Sequence, residues 1–89
     1  MKSITELKNP DIIEVNGEKY QVLDIEDGLY NEKKDDIEWI VNLVKVGEKS
    51  ISPNYSLTFM GKEPKKIKFF INNPKTKEEK EEKVKSLKF

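Results

Sequence analysis

Asp24, Glu26, Asp27, Asp35 and Asp36 place five carboxylates on one short stretch of this 89-residue chain. Hard oxygen ligands at that density could hold Mg²⁺ or Ca²⁺, and a close carboxylate pair could share a proton in acid–base chemistry. The spacing speaks against both. An EF-hand loop needs oxygen ligands at alternating positions and a Glu at the twelfth, which this segment does not supply. A solvated acidic loop is the simpler reading, so neither a metal site nor a cofactor is expected.

A second group is basic. Lys62, Lys65, Lys66, Lys68 and Lys75 cluster in sequence, with Tyr55 and Phe70 close by. Alternating charge and aromatic faces is the mixture that single-stranded nucleic acid binders use, the lysines meeting phosphates and the ring stacking on a base. The simpler reading is that the lysines guard an edge strand against aggregation while Phe70 packs under a C-terminal helix.

The chemistry open to the chain is narrowed by what it lacks: it has no Cys, His, Arg or Ala. Without Cys there is no disulfide, thiolate nucleophile or sulfur ligand. Without His, a Ser/His/Asp triad or an imidazole-bound zinc is impossible. Without Arg, the planar fork that grips phosphate or guanine at two points is missing, leaving only the point charge of Lys. Catalysis would fall to a carboxylate, Lys or Tyr in a cleft that so small a domain can hardly enclose, and no enzymatic activity is expected. No run approaches the roughly 18 apolar residues of a membrane span, and Met1–Glu6 lacks a signal-peptide core, so a cytoplasmic protein is expected.

Seventeen Lys balance seventeen acids, but unevenly. Residues 1–38 carry five Lys and eleven acids, a charge of −6, and residues 39–89 carry twelve Lys and six acids, which is +6. Such asymmetry can mark a surface for anionic partners, but it also lets neighbouring strands of opposite sign attract, and the second reading is favoured.

The elements that must position these residues follow from periodicity and turn chemistry. Ser3-Ile4-Thr5-Glu6 has capping-box spacing, and Pro10 ends any helix soon after, which predicts one or two helical turns. Asn16-Gly17 suits a type I′ turn and predicts a hairpin between residues 11–15 and 18–25. In its second strand Tyr20 and Val22 share one parity and Leu23 and Ile25 the other, which predicts a bulge or burial on both faces. Residues 26–36 read as a polar loop. Ile37, Trp39, Val41 and Leu43 then fall on one face of a third strand, with Ile40, Val44 and Val46 on the other. A fourth strand is expected at 55–60, after the turn at Gly47 and Pro53, and a fifth at 67–71. Thr76-Lys77-Glu78-Glu79 repeats the capping-box spacing ahead of a Lys/Glu-rich segment, which predicts a C-terminal helix docked only by Val84, Leu87 and Phe89.

These elements add up to an α+β chain, mostly β: an antiparallel meander of about five strands curled into a small barrel or half-barrel, with a short N-terminal helical turn and a C-terminal helix. Residues 1–74 would form the β-rich domain and residues 75–89 a charged helix or tail. Little apolar surface is left to cover Ile40, Val44 and Val46, because folding at this size hides only about 60–65% of the surface an unfolded chain exposes. The leading expectation is therefore a non-enzymatic protein-interaction module that offers this face or a strand edge to a protein partner or a second copy. The alternative is a nucleic-acid-binding small barrel using Lys62, Lys65, Lys66, Lys68, Phe70 and Lys75.

Overall fold

The computed structural model describes residues 4–33, 35–48, 54–61, 66–73 and 78–89. It opens with a lone 3-10 turn, Ile4–Glu6, whose Ile4 is buried together with the following Leu7. Ser3, the expected cap, lies outside the described residues, as do Pro53 and Thr76.

Seven strands follow among the described residues: β1 (Ile12–Val15), β2 (Glu18–Asn31), β3 (Asp36–Lys45), β4 (Tyr55–Met60), β5 (Ile67–Asn73), β6 (Glu78–Lys83) and β7 (Leu87–Lys88). All pair antiparallel in one sheet of order β6-β5-β4-β3-β2-β1-β7, curled into a half-barrel. The turn between β1 and β2 forms where Asn-Gly demands it: Asn16 has φ 51° and Gly17 φ 85°, so both central residues occupy the left-handed region that a type I′ turn requires.

The parity change in β2 is a bulge. Val22 pairs with Leu43 and Asp24 with Asn42, so Leu23 is the extra residue. Tyr20 and Val22 before it and Ile25 after it therefore face the same interior. A second register shift lies between Glu26 and Leu29, around Gly28 at φ 72°. This shift corrects the polar loop expected over 26–36. The extra residue is absorbed at a glycine, so the ladder continues through Leu29↔Glu38, Tyr30↔Ile37 and Asn31↔Asp36 despite the polar sequence. The Tyr30 hydroxyl donates to Asp35 beyond the ladder's end.

Ile13, Val15, Tyr20, Val22, Val41, Leu43, Leu57, Phe59 and Phe69 form the buried interior with Ile4 and Leu7. Alternation puts them there: Ile13↔Tyr20, Val22↔Leu43 and Leu57↔Phe69 are facing pairs on the concave side. Trp39 packs on this core and stacks on Phe59 at 6.0 Å between ring centroids.

The C-terminal helix and the count of five strands are the largest corrections. Glu78–Lys83 is strand β6, paired with β5 from Lys68↔Lys83 to Asn73↔Glu78, and Leu87–Lys88 is strand β7, paired with β1. A short Lys/Glu helix with few docking side chains is marginal in water, whereas the open edges of β5 and β1 offer unpaired backbone groups along their length. Val84 and Leu87 pack against the core from this extended segment.

Because β6 and β7 are consecutive in the chain yet stand at opposite ends of the sheet, residues 84–86 bridge its two edges. Asn16 ties this bridge to the β1–β2 turn. Asn16 Nδ2 donates to the Lys83 carbonyl (3.1 Å), and Oδ1 accepts from the Lys85 and Ser86 amides (2.7 and 3.1 Å). The Asn16 backbone N–H also donates to the Ser86 carbonyl (2.8 Å).

Candidate functional site

The convex face of β1–β3 is set by register. Ile12 stands opposite Gln21 and Gln21 opposite Val44, so these three share the outer face. Glu14 pairs with Lys19, and the Val46 amide donates to the Lys19 carbonyl at 3.1 Å, which carries the outer row on to Val46. Ile40 lies further along β3, between Glu26 and Thr58.

The three apolar residues proposed for this face are not equally available. Val44 is buried, Ile40 is half-buried, and Val46 is 50% exposed. Between Ile40 and Val44 sits Asn42, whose Nδ2 donates to Asp24 at 2.6 Å. Ile12, which the sequence reading did not single out, is 48% exposed. It borders a cleft of about 300 Å³ together with Leu7, Asp11 and Phe89. Its strand parity was legible; its half exposure in the assembled sheet was not.

One lysine of the basic group meets a carboxylate. Lys66 and Lys68 are exposed and Phe70 is half-buried. Lys68 and Phe70 share the outer face of β5, opposite Lys83 and Glu81 of β6. Lys68 Nζ lies 3.4 Å from Glu81. A groove of about 530 Å³ runs between the strands, lined by Lys66, Ile67, Lys68, Glu81, Glu82 and Lys83. Its mixed charge comes from β6, the segment expected to be a helix elsewhere. Lys62, Lys65 and Lys75 lie outside the described residues.

The carboxylates around residues 24–36 are spread along the β2–β3 hairpin. Asp24 faces Asn42, while Asp36 pairs with Asn31 at the far end of the ladder. At about 3.3 Å per residue, that separation is far beyond ligand distance. Asp36 Oδ1 accepts its neighbour Ile37's amide at 2.9 Å. Among the described residues, no group of three or more acidic side chains is placed to hold a metal ion. No described helix is long and apolar enough to cross a membrane.

An aromatic group inside the sheet is the feature that sequence spacing missed. Tyr20 lies 4.9 Å from Tyr55 and 5.2 Å from Phe69, and Tyr55 stacks on Phe69 at 5.8 Å, all between ring centroids. Burial, then the neighbouring Tyr55 and the carboxylates of Glu18, Glu82 and Glu48, pushes the Tyr20 phenol up to about 12. Burial and Glu48 also raise Tyr55, whose hydroxyl donates to Glu48 Oε1 at 3.2 Å. Both phenols therefore stay protonated near neutrality, and the Tyr55 proton makes the hydrogen bond to Glu48. Comparisons with protein-family models, curated proteins and solved structures give no match to this chain.

Proposed function

We propose that the chain is a small non-enzymatic protein-interaction module whose outer sheet face, at Ile12, Val46 and Ile40, meets a protein partner. The observation that carries this reading is the half exposure of Ile12 and Val46 on one side of the same sheet, with Ile12 beside a cleft. Large apolar side chains held on a rigid sheet make a preorganised contact surface, since little ordering remains to be done on binding.

The alternative, nucleic acid binding, draws on exposed Lys66 and Lys68 preceding Phe70, but Glu81 lies beside Lys68 and weighs against phosphate at that point. Immobilised chain and its Ile12→Lys and Val46→Lys variants, exposed to extract of the source cells, test the leading reading. It expects thermal midpoints close to the parent's, because both positions are half exposed, and loss of the captured protein in both variants at any salt. Capture that survives both substitutions removes this face from the account. Retention of oligonucleotide that weakens steeply with salt would favour the alternative.

A further inference from the structure

Asn16 does two unrelated things at one position. It fills the first left-handed place of the β1–β2 turn, and its carboxamide makes every side-chain hydrogen bond described for the bridge at Lys83, Lys85 and Ser86. Of the seven asparagines in the chain, it alone precedes a glycine. A glycine has no Cβ to shield its amide nitrogen, and at Gly17 the surroundings are open: a Cβ there would meet nothing within 4 Å. Gly17 is itself exposed, so the turn stands in solvent.

We propose that Asn16 is a deamidation site whose conversion unlatches the end of the C-terminal strap, residues 84–88, which lies beyond the ladder that pairs β6 with β5. The deprotonated Gly17 nitrogen attacks the Asn16 side-chain carbonyl carbon, the C–N bond to the amide nitrogen breaks, and ammonia leaves, closing a succinimide. Water then opens the ring at either carbonyl, giving aspartate or isoaspartate. The net change consumes one water and releases one ammonia, with no oxidant or reductant.

Each product damages the latch in its own way. Aspartate can still accept from the Lys85 and Ser86 amides, but it has no donor for the Lys83 carbonyl and sets a carboxylate oxygen against it. Isoaspartate adds a methylene to the main chain of a two-residue turn, which displaces both the turn and the side chain. The strap has little else to hold its bridge: β7 is two residues long, and Val84 and Leu87 are only partly buried. The core strands β3 and β4 do not touch Asn16 through any of these bonds.

The test ages the full chain in mildly alkaline buffer, locates the amide-to-acid mass gain by peptide mapping, and follows hydrogen exchange of converted and unconverted molecules in the same tube. The expected result is conversion at Asn16, with the amides of residues 84–88 exchanging at least about tenfold faster in converted molecules and β3–β4 amides unchanged. Asn16→Gly, which keeps the left-handed turn and deletes the carboxamide, should reproduce the faster exchange of residues 84–88 without ageing. The inference is overturned if Asn16 stays intact while a free peptide of residues 12–21 converts. It is equally overturned if converted molecules keep residues 84–88 protected, or if β3–β4 amides open together with them.

Discussion

At the scale of single residues, Tyr20 shows how burial turns a surface chemistry into a structural one. The residue is 5% exposed, and desolvation together with the nearby Tyr55 and glutamates holds the phenol's proton to about pH 12. In the unfolded chain the same phenol ionises near pH 10, so between those values the unfolded state binds fewer protons than the folded one. Stability is therefore fully present below about pH 10 and falls as pH climbs towards 12. Urea midpoints measured across this range should decline in the parent, and Tyr20→Phe should flatten the decline, leaving the smaller share that belongs to Tyr55. An identical slope in Tyr20→Phe would show that burial of this phenol is not what couples the fold to alkali. Alternation in the sequence suffices to aim Tyr20 and Tyr55 inward. The approach of Glu82 does not follow from it, because that requires β6 to lie beside Phe69.

At the scale of elements, the first five strands and the Asn-Gly turn were legible because each carries local evidence: period-two alternation, a turn dipeptide, or a bulge marked by a change of parity. Residues 78–83 carry no such evidence. Glu-Glu-Lys-Glu-Glu-Lys has favourable helical charge spacing and no alternation, and only the open edge of β5, a partner distant in sequence until the sheet exists, makes it a strand. The outer-face site divides in the same way: that Ile40, Val44 and Val46 share a side was readable, but the burial of Val44 beside exposed Ile12 needed the assembled sheet. The strand assignment has a discriminating consequence at Lys83, which stands directly opposite Lys68. Lys83→Thr removes a like-charge cross-strand pair and raises strand propensity, so it should stabilise the protein by about 0.5 kcal/mol in urea unfolding. In a helix the same change would lower helix propensity and delete the favourable Glu79–Lys83 pair, and destabilisation would result. The sign of the shift separates the two.

At the scale of the molecule, the half-barrel is drawn together by contacts between opposite ends of the chain. Asn16 and Ser86 are hydrogen-bonded across 70 residues, whereas Val15 and Glu18 pair across a two-residue turn. By the logarithmic loop-closure law, forming the distant contact first would cost roughly 3 kcal/mol more than forming the turn. Once β2 to β5 are in place, the strap's ends are already near both edges and most of that cost has been met by the meander. Pairing of β7 is therefore the last event on the lowest-barrier route, and the folding transition state should lack it. Leu87→Ala trims a half-buried side chain and should destabilise by about 1 kcal/mol, enough for a kinetic comparison. Its whole effect is expected as faster unfolding, with the refolding rate unchanged in stopped-flow measurements. Leu57→Ala, in the fully buried centre of β4, should instead slow refolding, because β3–β4–β5 pairing is local and belongs to the nucleus. Slower refolding in Leu87→Ala would mean that the ends meet early and that the strap templates the sheet rather than closing it.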